Sequence, residues 1–415
     1  VNIDRALRWG FNWEQGPFEA WDAIGVRASV ERMKKDGIDV PKWVVEMLAS
    51  GRERFYDGPE AQRTVYDVPK RAAAKMPSDP RQIRLKALHE DKTRVVRDTL
   101  GASLVDLGDG CLCLEVHTKM NTIDGDVIEM MDAAVDEAEK GFEALVVGND
   151  GEHFGAGANL MLIYLAAQQK EWGQIEDVVR KYQVAAQKLR YAKVPVVAAP
   201  FGYTFGGGAE LAMACDAMQA YAETYIGLVE VGAGLVPSGG GCLRMVERWT
   251  EYDSRVAGLD QLPLIGQASL NVAMATVATG AEEGRRLRYL LPSDGVSLNR
   301  DHLLYQAKQR ALGMARAGYL PPRPRVLRAA GYDAAKTIGA RVWGLVEGGY
   351  ASAHDALVAN KVARIMCGGD VASGAEVTEQ HYLDLEREAF LSLCGEEKSQ
   401  ARMQSLLMTG KPLRN

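Results

Sequence analysis

Hydrophobic residues in the middle of the chain follow two different spacings. Short apolar runs at 111–116, 143–148 and 194–200 have the length of buried strands. Between them, apolar residues recur every three to four positions at 126–140 and 174–191, which predicts amphipathic helices. Strands separated by helices indicate an α/β domain built from βαβ units.

The two ends of the chain have other patterns. Residues 1–60 predict short helices separated by glycine and proline breaks. Residues 61–97 contain ten Lys or Arg against four acidic residues and several prolines, which favours a basic linker, either a solvated connector or a groove for a nucleotide phosphate. Residues 295–415 read as successive helices, so the α/β domain is expected at 98–294.

Bulk properties exclude several classes of function. A formal charge of -6 over 415 residues gives no global attraction to nucleic acid. No apolar stretch approaches the roughly 20 residues that span a bilayer. The six cysteines are scattered without metal-ligand spacing, which predicts no metal site and a reducing compartment such as the cytoplasm. The chain starts without Met and without a secretory pattern, and we expect it to be part of a longer polypeptide.

The stretch PFGYTFGGGAELAMACD, residues 200–216, is the strongest candidate for chemistry. Its glycines 206–208 precede a predicted helix, where backbone N–H groups lack intrahelical acceptors and can hold an oxyanion. Glu210 lies in the first helical turn and either complements the helix dipole or acts in catalysis. The dinucleotide spacing G-x-G-x-x-G fails because residue 211 is Leu.

Two other glycine-rich segments complete the candidate site. HFGAGANL, residues 153–160, follows a predicted strand, so Ala156 can present a second free N–H. Two such donors from separate loops would make an oxyanion hole, in which one donor is worth about 3 kcal/mol in the transition state. YIGLVEVGAGLVPSGGG, residues 225–241, places Glu230 shortly before another glycine-rich turn.

These three segments, in this order, resemble the signatures of the enoyl-CoA hydratase/isomerase (crotonase) family, and KMNTI at 119–123 resembles its coenzyme A contact loop. The resemblance implies a crotonase fold, a spiral of βαβ turns, with an acyl-CoA thioester as substrate. It also implies that Ala156 and Gly207 supply the oxyanion hole, with Glu210 as base and Glu230 as acid. The implied substrate-binding residues are Lys119, Asn121, Gly157, Ala158, Gly206, Gly208, Pro237 and Gly239.

Residues 1–60 carry a second resemblance. GFNWEQGPFEAWDAIGV is similar to the C-terminal helical domain of 3-hydroxyacyl-CoA dehydrogenases, so this part is interpreted as a remnant of that domain. The order of the two parts resembles bifunctional dehydrogenase/hydratase proteins of fatty-acid β-oxidation, with a homo-oligomer or a thiolase as possible partner. No G-x-G-x-x-G opens a βαβ unit, so we expect neither NAD binding nor hydride transfer, and no cofactor besides the coenzyme A of the substrate.

The resemblance favours hydration of trans-2-enoyl-CoA, because both glutamates are present. Double-bond isomerisation in the family is associated with a single carboxylate. Two alternatives stay open at this point. One is a Δ3,Δ2-enoyl-CoA isomerase that uses a single glutamate of the same fold. The other is a non-catalytic acyl-CoA-binding module, since a fold by itself does not determine function.

Overall fold

The structure, a computed structural model, describes residues 1–250 and 260–415 and divides into two compact units, Val1–Lys92 and Thr93–Asn415. The elements of the first unit are the helices α1 (Asn2–Phe11), α2 (Pro17–Ile24), α3 (Val26–Lys35), α4 (Lys42–Ala49) and α5 (Leu85–His89), with the strands β1 (Tyr56–Asp57), β2 (Thr64–Asp67) and β3 (Ala72–Lys75). The three strands form one antiparallel sheet in sequence order.

The core of the first unit explains why its short elements fold together. Val26 and Val30 on α3 and Met47 on α4 are buried beside Tyr56 and Tyr66 of the sheet. Burial of such side chains is the main favourable contribution to the free energy of folding. The segment 61–92, which falls within our predicted linker, belongs to this unit and contains β2, β3 and α5. The placement of the predicted domain boundaries stays a prediction.

The second unit is organised around a seven-stranded sheet. Its strands lie in the order β12-β10-β8-β7-β6-β5-β4, parallel from β12 to β6 and antiparallel from β6 to β4. Two small sheets, β9/β11 and β13/β14, accompany it. The bounds are β4 (Val95–Asp98), β5 (Ala102–Asp106), β6 (Cys111–Val116), β7 (Ala144–Gly148), β8 (Val196–Ala198), β9 (Tyr203–Phe205), β10 (Ala217–Tyr221), β11 (Tyr225–Gly227), β12 (Gly295–Ser297), β13 (Val326–Arg328) and β14 (Glu376–Thr378).

Helices cover this sheet and form the C-terminal region. They are α6 (Gly125–Gly141), α7 (Leu160–Gln168), α8 (Trp172–Arg190), α9 (Gly207–Ala214), α10 (Gly241–Thr250), α11 (Leu262–Ala273), α12 (Ala281–Arg286), α13 (Leu303–Arg316), α14 (Tyr332–Glu347), α15 (Ala353–Met366), α16 (Glu379–Cys394) and α17 (Glu397–Thr409). No helix within residues 1–250 or 260–415 is long and apolar enough to cross a membrane. β12 joins the sheet and α13 packs on β7, β8 and β10, so the α/β layers continue past residue 294.

The parallel strands β7, β8 and β10 are direct neighbours in the sheet. Each of them is followed by one of the glycine-rich segments identified in the sequence. Because the carboxyl ends of parallel strands meet at the same edge of a sheet, the fold brings the three segments to one place. That edge is where the candidate chemistry lies.

Candidate active site

Glu210 is buried in the first turn of α9, with only 3% of the residue exposed. Its Oε1 accepts the N–H of Gly239 at 2.7 Å and the N–H of Gly241 at 2.8 Å. Burial raises the pKa of the carboxyl to about 7, although the amides of Gly241, Gly239 and Ser238 favour its ionised form. A carboxyl with this pKa exists in both protonation states near neutral pH and suits proton transfer.

Glu230 follows β11 and begins a short 3-10 helix at Glu230–Ala233. Its Oε2 is buried and has no hydrogen-bond partner among the residues that the structure describes. Burial and, next, the negative charge of Glu210 raise the pKa of Glu230 well above its ordinary value. Both carboxyls therefore hold a proton more readily than an ordinary glutamate, and ionisation of one opposes ionisation of the other.

The loops that carry the two predicted oxyanion donors are bonded to each other. Gly155 donates its N–H to the Tyr203 carbonyl at 3.0 Å, and Phe205 donates its N–H to the Gly155 carbonyl at 2.8 Å. A Cβ atom on Gly208 would lie 2.5 Å from the Gly155 oxygen, so only glycine permits this approach. Gly207 is the first residue of α9, and its N–H has no intrahelical acceptor.

The N–H of Ala156 differs from our prediction of a free donor. It donates to the Met120 carbonyl at 3.1 Å. Met120 has φ 59° within the short turn Lys119–Asn121, a left-handed conformation that aims its carbonyl at the loop of Ala156. The predicted oxyanion donor at Ala156 is therefore already paired in this structure.

The residues predicted to contact substrate have different roles in the structure. Lys119 is exposed, whereas Asn121 is buried and its Nδ2 donates to the His153 carbonyl at 2.7 Å. Asn121 therefore links two loops and has no free amide nitrogen aimed at solvent. Gly157 has φ 100° and accepts the Ile123 N–H at 2.9 Å, which holds the loop before Ala158.

The remaining predicted residues, Gly206, Pro237 and Gly239, line the two glutamates. A Cβ atom on Gly206 would lie 2.9 Å from Glu230 Oε1, and one on Gly239 would lie 2.7 Å from Glu210 Oε2. A Cβ atom on Gly241 would meet both Glu210 Oε1 and Pro237 Cβ at 2.8 Å. The glycines thus allow the carboxyls to pack directly against the backbone.

Two further residues of the site escaped the sequence analysis. Tyr182 on α8 is buried and donates its hydroxyl to the Gly207 carbonyl at 2.6 Å. Burial and the charges of Glu210 and Glu230 raise the pKa of Tyr182 well above its ordinary value. Glu386 on α16 is fully buried and accepts two amides of the turn that bonds Glu210. Neither belongs to a local motif, so no signal in the sequence marked them.

Known proteins are similar to the whole chain or to parts of it. Residues 111–251 match the family model described as Enoyl-CoA hydratase/isomerase. A Bacillus subtilis protein named "Probable 3-hydroxyacyl-CoA dehydrogenase" is 43% identical over the whole chain, which spans 51% of that protein. The Clostridium acetobutylicum short-chain-enoyl-CoA hydratase is 34% identical over 30% of the chain and 48% of its own length. The chain therefore spans about half the length of these relatives.

The structural comparison concerns the fold alone. The crystal structure of an enoyl-CoA hydratase from Bacillus halodurans superposes with a TM-score of 0.50 at 16% identity, covering 74% of this chain and 99% of the other. The predicted α/β fold of the crotonase type is confirmed, with its central parallel sheet and surrounding helices.

Proposed function

Since residues 111–251 match the enoyl-CoA hydratase/isomerase family, we propose that this chain adds water across the 2,3 double bond of trans-2-enoyl-CoA thioesters. One observation carries the proposal: two carboxyls meet the start of α9, Glu210 from its first turn and Glu230 with Oε1 2.9 Å from the Cβ position of Gly206. Hydration needs one group that accepts a proton from water and another that donates a proton to carbon. Double-bond isomerisation, by contrast, is expected to need a single carboxylate.

The residues divide the reaction as follows. The Gly207 N–H and the N-terminal end of α9 polarise the thioester carbonyl, and Ala156 joins them once the Met120 carbonyl has moved. Ionised Glu210 takes a proton from water, whose oxygen bonds the β-carbon. The electron pair of the double bond moves towards the carbonyl, and protonated Glu230 supplies the proton that bonds the α-carbon. The exchanged protons re-equilibrate with solvent after the product leaves.

The direct test follows the enoyl thioester absorbance of crotonyl-CoA during incubation with the purified protein. We expect the absorbance to fall as 3-hydroxybutyryl-CoA forms, at the same rate with and without NAD. The chain has no glycine fingerprint for a dinucleotide, so reduction of NAD is not part of the proposal. Conversion of a 3-enoyl-CoA without hydration would identify an isomerase, and binding of acyl-CoA without turnover would identify a binding module.

The rate of hydration should depend on pH in a defined direction. Glu210 acts in its ionised form and its pKa is raised to about 7, so kcat/KM should fall as the pH drops through about 7. Because Glu230 must stay protonated and its pKa is raised well above its ordinary value, a second loss of rate is expected at higher pH. The apparent pKa values of both losses of rate belong to the interacting pair of carboxyls and not to either residue alone. An acid limb at about 4.3, the ordinary glutamate value, would contradict the role of burial.

The first unit extends the proposal to the longer arrangement. We propose that residues 1–60 are the remnant of a 3-hydroxyacyl-CoA dehydrogenase helical domain, which the match to the Bacillus subtilis protein supports. The hydratase would then follow the dehydrogenase in one polypeptide of fatty-acid β-oxidation. A homo-oligomer or a thiolase partner belongs to the same proposal. Sedimentation of the purified protein measures the former, and co-purification with a thiolase measures the latter.

A further inference from the structure

The glycine-rich turn at 238–243 is bonded from two sides by two buried glutamates. Glu210 on α9 accepts the N–H groups of Gly239 and Gly241. Glu386 on α16 accepts the N–H of Gly240 at 2.7 Å through Oε2 and the N–H of Leu243 at 2.9 Å through Oε1. Three successive amides therefore point alternately to the candidate base and to a carboxyl of the C-terminal region.

A second set of contacts links α16 to the same turn. Gln183 on α8 donates its Nε2 to the Ser238 carbonyl and to the Leu383 carbonyl, each at 2.8 Å. Arg387 in turn donates from Nη1 to Gln183 Oε1 at 2.8 Å. Gln183 is 2% exposed, so these bonds lie in the interior where an unpaired polar group is costly. The turn and α16 are thus coupled at both the carbonyl of Ser238 and the amides that follow it.

The turn depends on such external partners for a physical reason. Gly240 has φ 109°, a conformation that only glycine adopts readily, so the backbone here has little intrinsic preference of its own. α10 begins at Gly241, and the first N–H groups of a helix have no acceptor within it. Without Glu386, the N–H groups of Gly240 and Leu243 would be buried and unpaired, and the turn would be free to reorient towards other acceptors.

We propose that Glu386 is a positioning residue of the active site, which holds the 238–243 turn so that the amides of Gly239 and Gly241 face Glu210. The helix α16 of the C-terminal region is then part of the catalytic unit. This inference rests on the proposed hydratase function, because it assigns Glu386 an effect on the base of that reaction. Glu386 acts through the backbone of the turn, and the glutamates that exchange protons with the substrate are Glu210 and Glu230.

Two substitutions separate positioning from folding. Glu386→Ala removes both acceptors, and Glu386→Gln keeps the shape but leaves one acceptor oxygen for two amides. The control is Glu388→Gln on the same helix, since Glu388 is exposed and pairs with Arg364 of α15 at 3.3 Å. Unfolding curves of all three variants establish the folded fraction to which each rate is referred.

We expect kcat for crotonyl-CoA hydration to fall about 10- to 100-fold in Glu386→Ala, since small misplacements of catalytic groups have effects of this size. Glu386→Gln should recover part of the loss, and KM should change less than about threefold because the loops of Ala156 and Gly207 are untouched. Glu388→Gln should keep kcat within about twofold. Hydrogen exchange of the 236–245 segment should accelerate in Glu386→Ala and stay unchanged in the control.

Folded Glu386→Ala with wild-type kcat would overturn the inference while the hydratase function stands. If that variant does not fold, the same result for Glu386→Gln overturns it. If the wild-type protein does not hydrate crotonyl-CoA, the proposed function fails, and hydrogen exchange still decides whether Glu386 holds the turn. Unchanged exchange in both Glu386 variants would then count against the positioning role.

Discussion

Glu210→Gln is expected to lower kcat for crotonyl-CoA hydration by about 10²- to 10⁴-fold, the range that a positioned acid or base contributes. The amide cannot accept a proton from water, although it fills the same space beside Gly239 and Gly241. Glu230→Gln should cause a loss in the same range, because the amide is a poor proton donor to carbon. KM should change much less than kcat in both variants, since the change concerns proton transfer in the transition state.

A matched control addresses the possibility that Glu210 only complements the dipole of its helix. Glu282 also lies in a first helical turn, at the start of α12, but is exposed and pairs with Arg285 at 3.2 Å. Glu282→Gln should leave hydration unchanged. If Glu210→Gln and Glu230→Gln both keep nearly wild-type rates, the mechanism with two carboxyls is wrong.

Gly208→Ala should destabilise the second unit and abolish most of its hydration activity. The added Cβ would lie 2.5 Å from the Gly155 carbonyl oxygen and 2.9 Å from its carbon, both backbone atoms that cannot rotate away. Overpacking of this kind costs about 1–3 kcal/mol. Relief of the clash would also separate the loops of Ala156 and Gly207, and the loss of one oxyanion donor costs about 10²- to 10³-fold in kcat.

Denaturant unfolding and kcat on the same preparation measure both effects of Gly208→Ala. Gly173 on α8 provides the control, because a Cβ there meets nothing within 4 Å. Gly173→Ala should keep hydration and raise the stability by about 0.5–1 kcal/mol, the usual gain from alanine in a helix. Equal stability and activity in Gly208→Ala would show that the two loops do not need their close approach.

Parts of the candidate site that lie close together in the chain could be predicted from the sequence. Parts that come from distant positions could not. Glu210 and Gly207 share one helical turn, so their relation follows from the sequence pattern alone. The pairing of the Ala156 N–H with Met120 was missed, because it depends on the left-handed conformation of a residue 36 positions away. The Tyr182 hydroxyl and the Glu386 carboxyl were also missed. Each reaches the site from a distant helix that carries no motif.

The segment around Tyr66 and the strand β12 show a related limit of the sequence signal. Residues 61–92 carry excess positive charge and prolines, yet Tyr66 is buried in the core of the first unit. Charged residues indicate exposed surface, and prolines indicate where helices and strands end. One inward-facing side chain in a four-residue strand is too weak a signal to predict that the segment packs into a core. The three residues of β12 were overlooked likewise, because a strand that short has no readable period.

The sequence by itself determined the alternation of strands and helices, the three glycine-rich segments and the two glutamates, since spacing and glycine placement are local properties. Tertiary structure decided which amides Glu210 accepts, that both carboxyls have raised pKa values and which N–H group is already paired. These depend on burial and on contacts between residues far apart in the chain, and both exist only once the sheet has brought its loops to one edge.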